Sequence, residues 1–210
     1  MKRCRGTPMR VATLLVVVGL LLSANQARGD TSGLYRQSYA LEAKGEYQGA
    51  LGRMREIAKA SGKSYFVSLR TGWLAYLAGN YESAEASYRQ AIAAKPAALE
   101  AKIGLTLVLY AAQRWKALQT ACKQVLAEDP KHATVRARLA ASHYATGNYP
   151  DAAAIYRKLV DSYPAELDYQ TGFGWALLRM GKREEALKLF RGVLAVSPDN
   201  PNALQGIAAK

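Results

Sequence analysis

Few residues in this chain of 210 are of types that perform chemistry, and fewer still stand close together. The histidines are His132 and His143, and the cysteines are Cys4 and Cys122. A metal site needs three or four nitrogen, sulfur or oxygen ligands that converge, and a nucleophile needs a neighbouring base. The sequence has no HExxH, no CxxC, no phosphate-cradling glycine loop and no carboxylate cluster at ligand spacing. Glu128 with Asp129 and Glu184 with Glu185 fall at or near expected helix ends, on faces that water reaches. His132 follows Pro130 and Lys131 in a connecting segment and reads as a solvated loop residue. His143 shares a column with Leu41, Ala75, Leu109 and Leu177, so it reads as a satisfied core histidine. Cys122 shares one with Met54, Tyr88, Tyr156 and Phe190 and reads as a buried thiol. No catalytic, cofactor-binding or metal-binding residue is assigned, and an enzyme is not expected.

Those columns come from a repeat. Gly45, Gly79, Gln113, Gly147 and Gly181 recur every 34 residues, and Gly62, Pro96, Pro130, Pro164 and Pro198 recur in the same register. A fixed period of this length marks a solenoid whose units contact only their neighbours. Each unit holds two apolar-periodic segments of about 12 to 14 residues, which predicts two antiparallel helices. The glycine suits the left-handed residue past the first helix, and the proline stops the second. In the third unit either Gln113 bears strain or the first helix ends differently. The aromatic column Tyr47, Tyr81, Trp115 and Tyr149 keeps the register through that change. Two columns are small: Ser38, Gly72, Thr106, Ala140 and Gly174 in the first helix, and Ala50, Ala84, Ala152 and Ala186, with Leu118 the exception, in the second. Small side chains there let the paired helices approach closely. The column through Met54 and Phe190 reads as the wedge between units.

At the N-terminus Lys2, Arg3, Arg5 and Arg10 precede an unbroken apolar run from Val11 to Leu22, followed by Ser23, Ala24 and Ala27. This is the layout of a secretory signal peptide over 1–27, cut after Ala24 or Ala27. The run is short of the roughly 20 residues a membrane-spanning helix needs, although an uncleaved inner-membrane anchor stays open. Cys4 lies ahead of the apolar run, where a lipoprotein cysteine would not be. The expected location is the periplasm, where the single thiol of Cys122 forms no intramolecular disulfide. The formal charge is +13, and loss of the four leader cations leaves +9. That balance favours anionic partners, such as an acidic protein face, envelope polysaccharide or lipid headgroups. Nucleic acid is not expected, because the cations are spread over all five units and the chain carries an export signal.

The small, aromatic and Gly-x-Tyr columns at a 34-residue period resemble the tetratricopeptide repeat family from Thr31 to the C-terminus. The resemblance implies an all-α, right-handed superhelical solenoid of about five helix-turn-helix units plus a short C-terminal helix. The units are 31–64, 65–98, 99–132, 133–166 and 167–200, with 201–210 a partial unit or a cap. The first is atypical, with Gln37, Met54, Ile57 and Gly62 where the family prefers Leu, an aromatic, Ala and Pro.

Members of that family bind peptides or helices in a concave groove lined by the first helices. The resemblance assigns such a groove here to Arg36, Tyr39, Leu69, Arg70, Trp73, Tyr76, Ile103, Leu107, Tyr110, Arg138, Tyr144 and Trp175. Its surface is apolar and aromatic, with Arg36, Arg70 and Arg138 as a positive stripe along its side. Tyr76, Tyr110 and Tyr144 either pack between helices or face the ligand. The chaperone-tail carboxylate clamp of some members needs Lys and Asn where this chain has Tyr, Leu, Trp and Ile, so that ligand is not expected. The expected partner is a protein or peptide with an apolar face and some acidic character, held by a scaffold of the bacterial cell envelope. Two alternatives remain. One is a self-assembling structural protein using Leu204 and Ile207 of the last segment; the other is an assembly factor for envelope polysaccharide or outer-membrane machinery.

Overall fold

The computed structural model describes residues 31–209, and the proposed leader with its Cys4 lies outside them. Among the described residues there are eleven helices and no strand. They fall into two compact units, the first ending at Ala94 and the second beginning at Lys95. The first holds α1 (31–43), α2 (Tyr47–Ser61), α3 (Tyr65–Leu77) and α4 (Tyr81–Ala94). The second holds α5 (Leu99–Ala111), α6 (Trp115–Glu128), α7 (Ala133–Ala145), α8 (Tyr149–Ser162), α9 (Leu167–Arg179), α10 (Arg183–Val196) and α11 (Pro201–Ala208). Helices of this length are marginal alone in water, so each depends on the faces it buries against its neighbours.

The helix ends follow from local chemistry. Gly45, Gly79, Gly147 and Gly181 have φ of 77°, 74°, 80° and 77°, and Gln113 takes the same left-handed conformation at φ 55°. The third turn therefore closes like the others. Asn80 N–H donates to the Ala75 carbonyl at 2.9 Å, and Arg114 N–H donates to the Leu109 carbonyl at the same distance. These bonds close a Schellman cap in both cases, and at Gln113 the cap is made at a conformational cost glycine avoids. At the other end of the repeat α4, α6, α8 and α10 stop two residues before Pro96, Pro130, Pro164 and Pro198. The residues before the last three prolines, Asp129, Tyr163 and Ser197, take extended φ values of −127°, −135° and −133°.

The core runs down the expected columns. Ala50, Ala84, Leu118, Ala152 and Ala186 are fully buried, and Met54, Tyr88, Cys122, Tyr156 and Phe190 are buried beside them. Burial pushes the Cys122 thiol up to about 12, which leaves it protonated and inert. Glycine is required where rings come closest. A Cβ on Gly172 would stand 2.6 Å from the tip of the Tyr156 ring, and Phe190 lies between Gly174 and Gly206, whose added Cβ atoms would stand 2.7 and 2.4 Å from it. The ring of Phe190 thus seats α11 on α10, and Asn200 caps α11 by accepting from Ala203 N–H at 3.0 Å. Ile207 packs against this cluster, while Leu204 stays exposed.

Both histidines differ from expectation. His132 is no loose loop residue: it is the N-cap of α7, where its Nδ1 accepts from Val135 N–H at 3.4 Å. His143 is half-buried at the end of α7, with its Nδ1 3.4 Å from the Asn148 amide and 3.9 Å from an Asp151 carboxylate oxygen. The helix ends two residues later, at Ala145, so its ring reaches polar partners that a mid-helix position would lack.

Candidate partner-binding face

In the first unit, α1 and α3 bring Tyr39, Glu42, Arg70, Trp73 and Tyr76 together. Arg70 is only 7% exposed. Its Nη2 donates to Glu42 Oε2 at 2.8 Å and to Ser38 Oγ at 3.2 Å, and its guanidinium lies over the Tyr39 ring, 3.4 Å from the centroid. Glu42 accepts a second bond from Trp73 Nε1 at 2.7 Å, which fixes the indole on the surface. Trp73 stacks on Tyr76 at 5.8 Å, and Tyr76 meets Tyr81 at 6.0 Å. Tyr35 packs on Phe66 at 5.7 Å, and burial raises its hydroxyl pKa, with Tyr39 adding to the rise and Arg70 opposing it. Tyr39, Phe66, Trp73 and Tyr81 all remain exposed. The result is an aromatic surface whose polar atoms are largely committed to one another.

The second unit repeats part of this. Arg138 Nη1 donates to Thr106 Oγ1 at 2.8 Å and to the Ile103 carbonyl at 3.3 Å. Tyr110 packs edge-on against Trp115 at 5.9 Å, and Tyr144 against Tyr149 at 5.4 Å. Arg179 Nη2 donates to the Tyr149 hydroxyl at 2.8 Å. Burial raises the Tyr144 pKa, with Arg179 opposing the rise. Tyr110 is exposed, whereas Tyr144 and Trp175 are half-buried, and Trp175 turns toward Phe190 at 5.6 Å. Leu69 in the first unit and Leu107 in the second are half-buried on the same helix faces.

The positive stripe read from the sequence needs correcting. Arg36 is exposed, but Arg70 and Arg138 are not free cations aimed at a ligand; each reaches back to a hydroxyl on the preceding first helix. Glu42 shares a groove column with the tyrosines but was not among the groove residues assigned from the sequence, and it is the carboxylate that holds Arg70 and Trp73. The signal lay in the column Glu42, Tyr76, Tyr110 and Tyr144, where one acid replaces a tyrosine. Tyr81, Trp115 and Tyr149, read only as register markers, brace the tyrosines five residues before them.

A family model described as tetratricopeptide repeat matches residues 16–198. The chain belongs to the tetratricopeptide repeat family. That match begins inside the segment read from sequence as a leader. Among solved structures, this tetratricopeptide repeat chain is similar to MamA 41-end from Desulfovibrio magneticus RS-1, at 20% identity over 82% of this chain and 98% of that one, with a TM-score of 0.74. It is similar to a tetratricopeptide repeat protein from Parabacteroides merdae ATCC 43184, at 16% identity over 85% and 71% of the two chains and a TM-score of 0.76. It is also similar to YrrB, described as a TPR protein with an unusual peptide-binding site, at 15% identity over 90% and 97% and a TM-score of 0.73. At these identities the likeness is one of fold. No curated protein matches the sequence. Among the described residues no group of three His, Cys, Asp or Glu could hold a metal ion, and no helix is long and apolar enough to cross a membrane.

Proposed function

We propose that this protein is a non-enzymatic interaction scaffold of the bacterial cell envelope, exported by its leader, that holds a peptide or helix along the first helices of its repeats. The observation that carries the reading is the set of exposed aromatics on those helices, Tyr39 and Trp73 in one unit and Tyr110 in the other. Rigid aromatics on a surface anchor interfaces with little loss of side-chain freedom. With Arg70 and Arg138 engaged internally, recognition is led by the apolar face of the ligand, and Arg36 is left to meet its acidic groups. The peptide-binding site named for YrrB supports a peptide as the ligand class. In the Trp73→Ala/Tyr110→Ala protein, affinity for a partner recovered by pull-down should fall by about 2 kcal/mol or more per hot spot. An unchanged Kd with an intact helical spectrum would remove the reading. The leader is tested separately, by fractionation and by sequencing the mature N-terminus.

Self-association is a second reading, favoured by exposed Leu204 on the terminal helix and exposed Val196 at the end of α10. Light scattering over a concentration series decides it: mass that rises with concentration, and stops rising when Leu204 becomes Glu, supports assembly through this end.

A further inference from the structure

We propose that Glu42, Trp73 and Arg70 form a latch in the first unit, opened by a peptide that offers a backbone carbonyl oxygen to the Trp73 indole. The choice of ligand rests on the scaffold reading above; the latch itself does not. Its starting point is Arg70 Nε, a buried side-chain nitrogen that has no hydrogen-bond partner among the described residues. Buried N–H groups are nearly always paired, because an unpaired one loses its water and gains nothing in return. The reason here is how one carboxylate is divided. Nε and Nη2 point from the same edge of a guanidinium, and a carboxylate that meets that edge squarely accepts from both. Glu42 does not meet it so: Oε2 accepts from Arg70 Nη2 at 2.8 Å, while Oε1 accepts from Trp73 Nε1 at 2.7 Å. Ser38 Oγ also takes Nη2, at 3.2 Å, and the Tyr39 ring covers a face of the guanidinium, from which no N–H points.

The carboxylate thus has two arrangements. In the one observed, Oε1 holds the indole and Nε goes without. In the other, Oε1 turns from Trp73 to Nε, and Glu42 keeps two protein donors in both. An exchange of one donor for another leaves a small gap between the states, which a modest ligand contact can reverse. The ligand meets Trp73, which is 38% exposed, and not Arg70, which is 7% exposed; it acts on Arg70 only through Glu42. Indole N–H donates and cannot accept, so the ligand atom is an acceptor. A ligand carboxylate would stand beside the like charge of Glu42, whereas a peptide carbonyl carries none. The rings of Tyr39 and Tyr76 flank the indole and suit an apolar side chain next to that carbonyl. Binding therefore supplies Trp73 with a new acceptor and gives Arg70 Nε the partner it lacks.

The latch is tested first without ligand, by nuclear magnetic resonance of the Arg70 Nε–H in isotope-labelled full chain. Trp73→Phe removes the indole donor from a surface position and keeps a ring. Glu42 Oε1 should then pair with Arg70 Nε, and exchange of that N–H with water should slow by ~10-fold or more. An unchanged rate overturns the latch. The ligand is tested with N-acetyl-leucine N′-methylamide, which has peptide carbonyls beside an apolar side chain and no charge. Titration should move the Trp73 indole N–H and the Arg70 Nε–H together, with the same half-saturation, while the Trp175 indole, packed toward Phe190, stays in place. The probe should bind the Trp73→Phe protein at least ~10-fold more weakly. Movement of Trp73 with a static Arg70 Nε–H overturns the coupling and leaves the scaffold reading intact. Movement at Tyr110 without Trp73 overturns the ligand assigned to the latch and again spares the scaffold. No movement at either removes that ligand and the scaffold reading together.

Discussion

Two kinds of joint hold successive repeats together within the units, and they solve one packing problem in opposite ways. Where α3 follows α1 and where α7 follows α5, an arginine crosses to a hydroxyl, Arg70 to Ser38 and Arg138 to Thr106. The buried wedge there is Met54 in one joint and Cys122 in the other. Where α9 packs on α8, and α11 on α10, the wedge is a ring, Tyr156 or Phe190, and the facing residue is a glycine, Gly172 or Gly206. In each joint the facing residue lies 16 positions after the wedge. The space is filled either by an aromatic ring against bare backbone or by a slimmer side chain and an arginine stem. The aromatic joint gains from burial alone; the arginine joint adds directional bonds, which fix one geometry and are costly to break.

The largest expected effect is at the terminal aromatic joint. Phe190→Ala should cost about 4 kcal/mol, since it empties a ring held between two glycines. Urea unfolding followed by circular dichroism measures the loss, and a loss below about 1 kcal/mol would mean the joint collapses without its ring.

Next is the arginine joint. Arg70→Met should cost about 3 kcal/mol, because the half-buried Glu42 carboxylate keeps only Trp73 Nε1 as its partner. Adding Glu42→Gln should return most of that loss, since a neutral amide is far cheaper to bury than an unpaired charge. If the double variant is as unstable as the single one, the arginine acts by packing and the contrast between the joints weakens.

A smaller effect tests the pairing of ring and glycine. Gly172→Ala should cost about 2 kcal/mol by overpacking against Tyr156, and close to nothing in a Tyr156→Cys background, where the ring is gone. Equal costs in both backgrounds would separate the glycine from the ring.

The smallest lies outside both joints and gauges the background. Gln113→Gly should stabilise by about 0.5 kcal/mol, as relief of a left-handed strain of ~1–2 kcal/mol outweighs the backbone entropy glycine loses. A shift of this size is read in the thermal midpoint.

Much of this was legible in the sequence. The turns, the helix stops and the buried columns follow from glycine, proline and apolar spacing, and they placed Cys122 in the core. The face of the first helices was legible too, but the state of its cations was not. Helical period gives the direction in which Arg70 and Arg138 leave the backbone, while their long side chains reach either the groove or the seam between repeats. His132 was misread for a related reason: its ring serves as a cap only because α7 begins at the next residue.

The sequence by itself determined a repeat, its register and its turns, because a left-handed residue, a missing N–H and a periodic apolar face are local properties that need no neighbour to act. Only the tertiary structure decided which polar groups remain available. That outcome depends on a carboxylate or hydroxyl some 30 residues away arriving within hydrogen-bond distance, as Glu42 and Ser38 do for Arg70 at 2.8 and 3.2 Å. Competition for hydrogen-bond partners is settled between helices, after each helix has already formed its own.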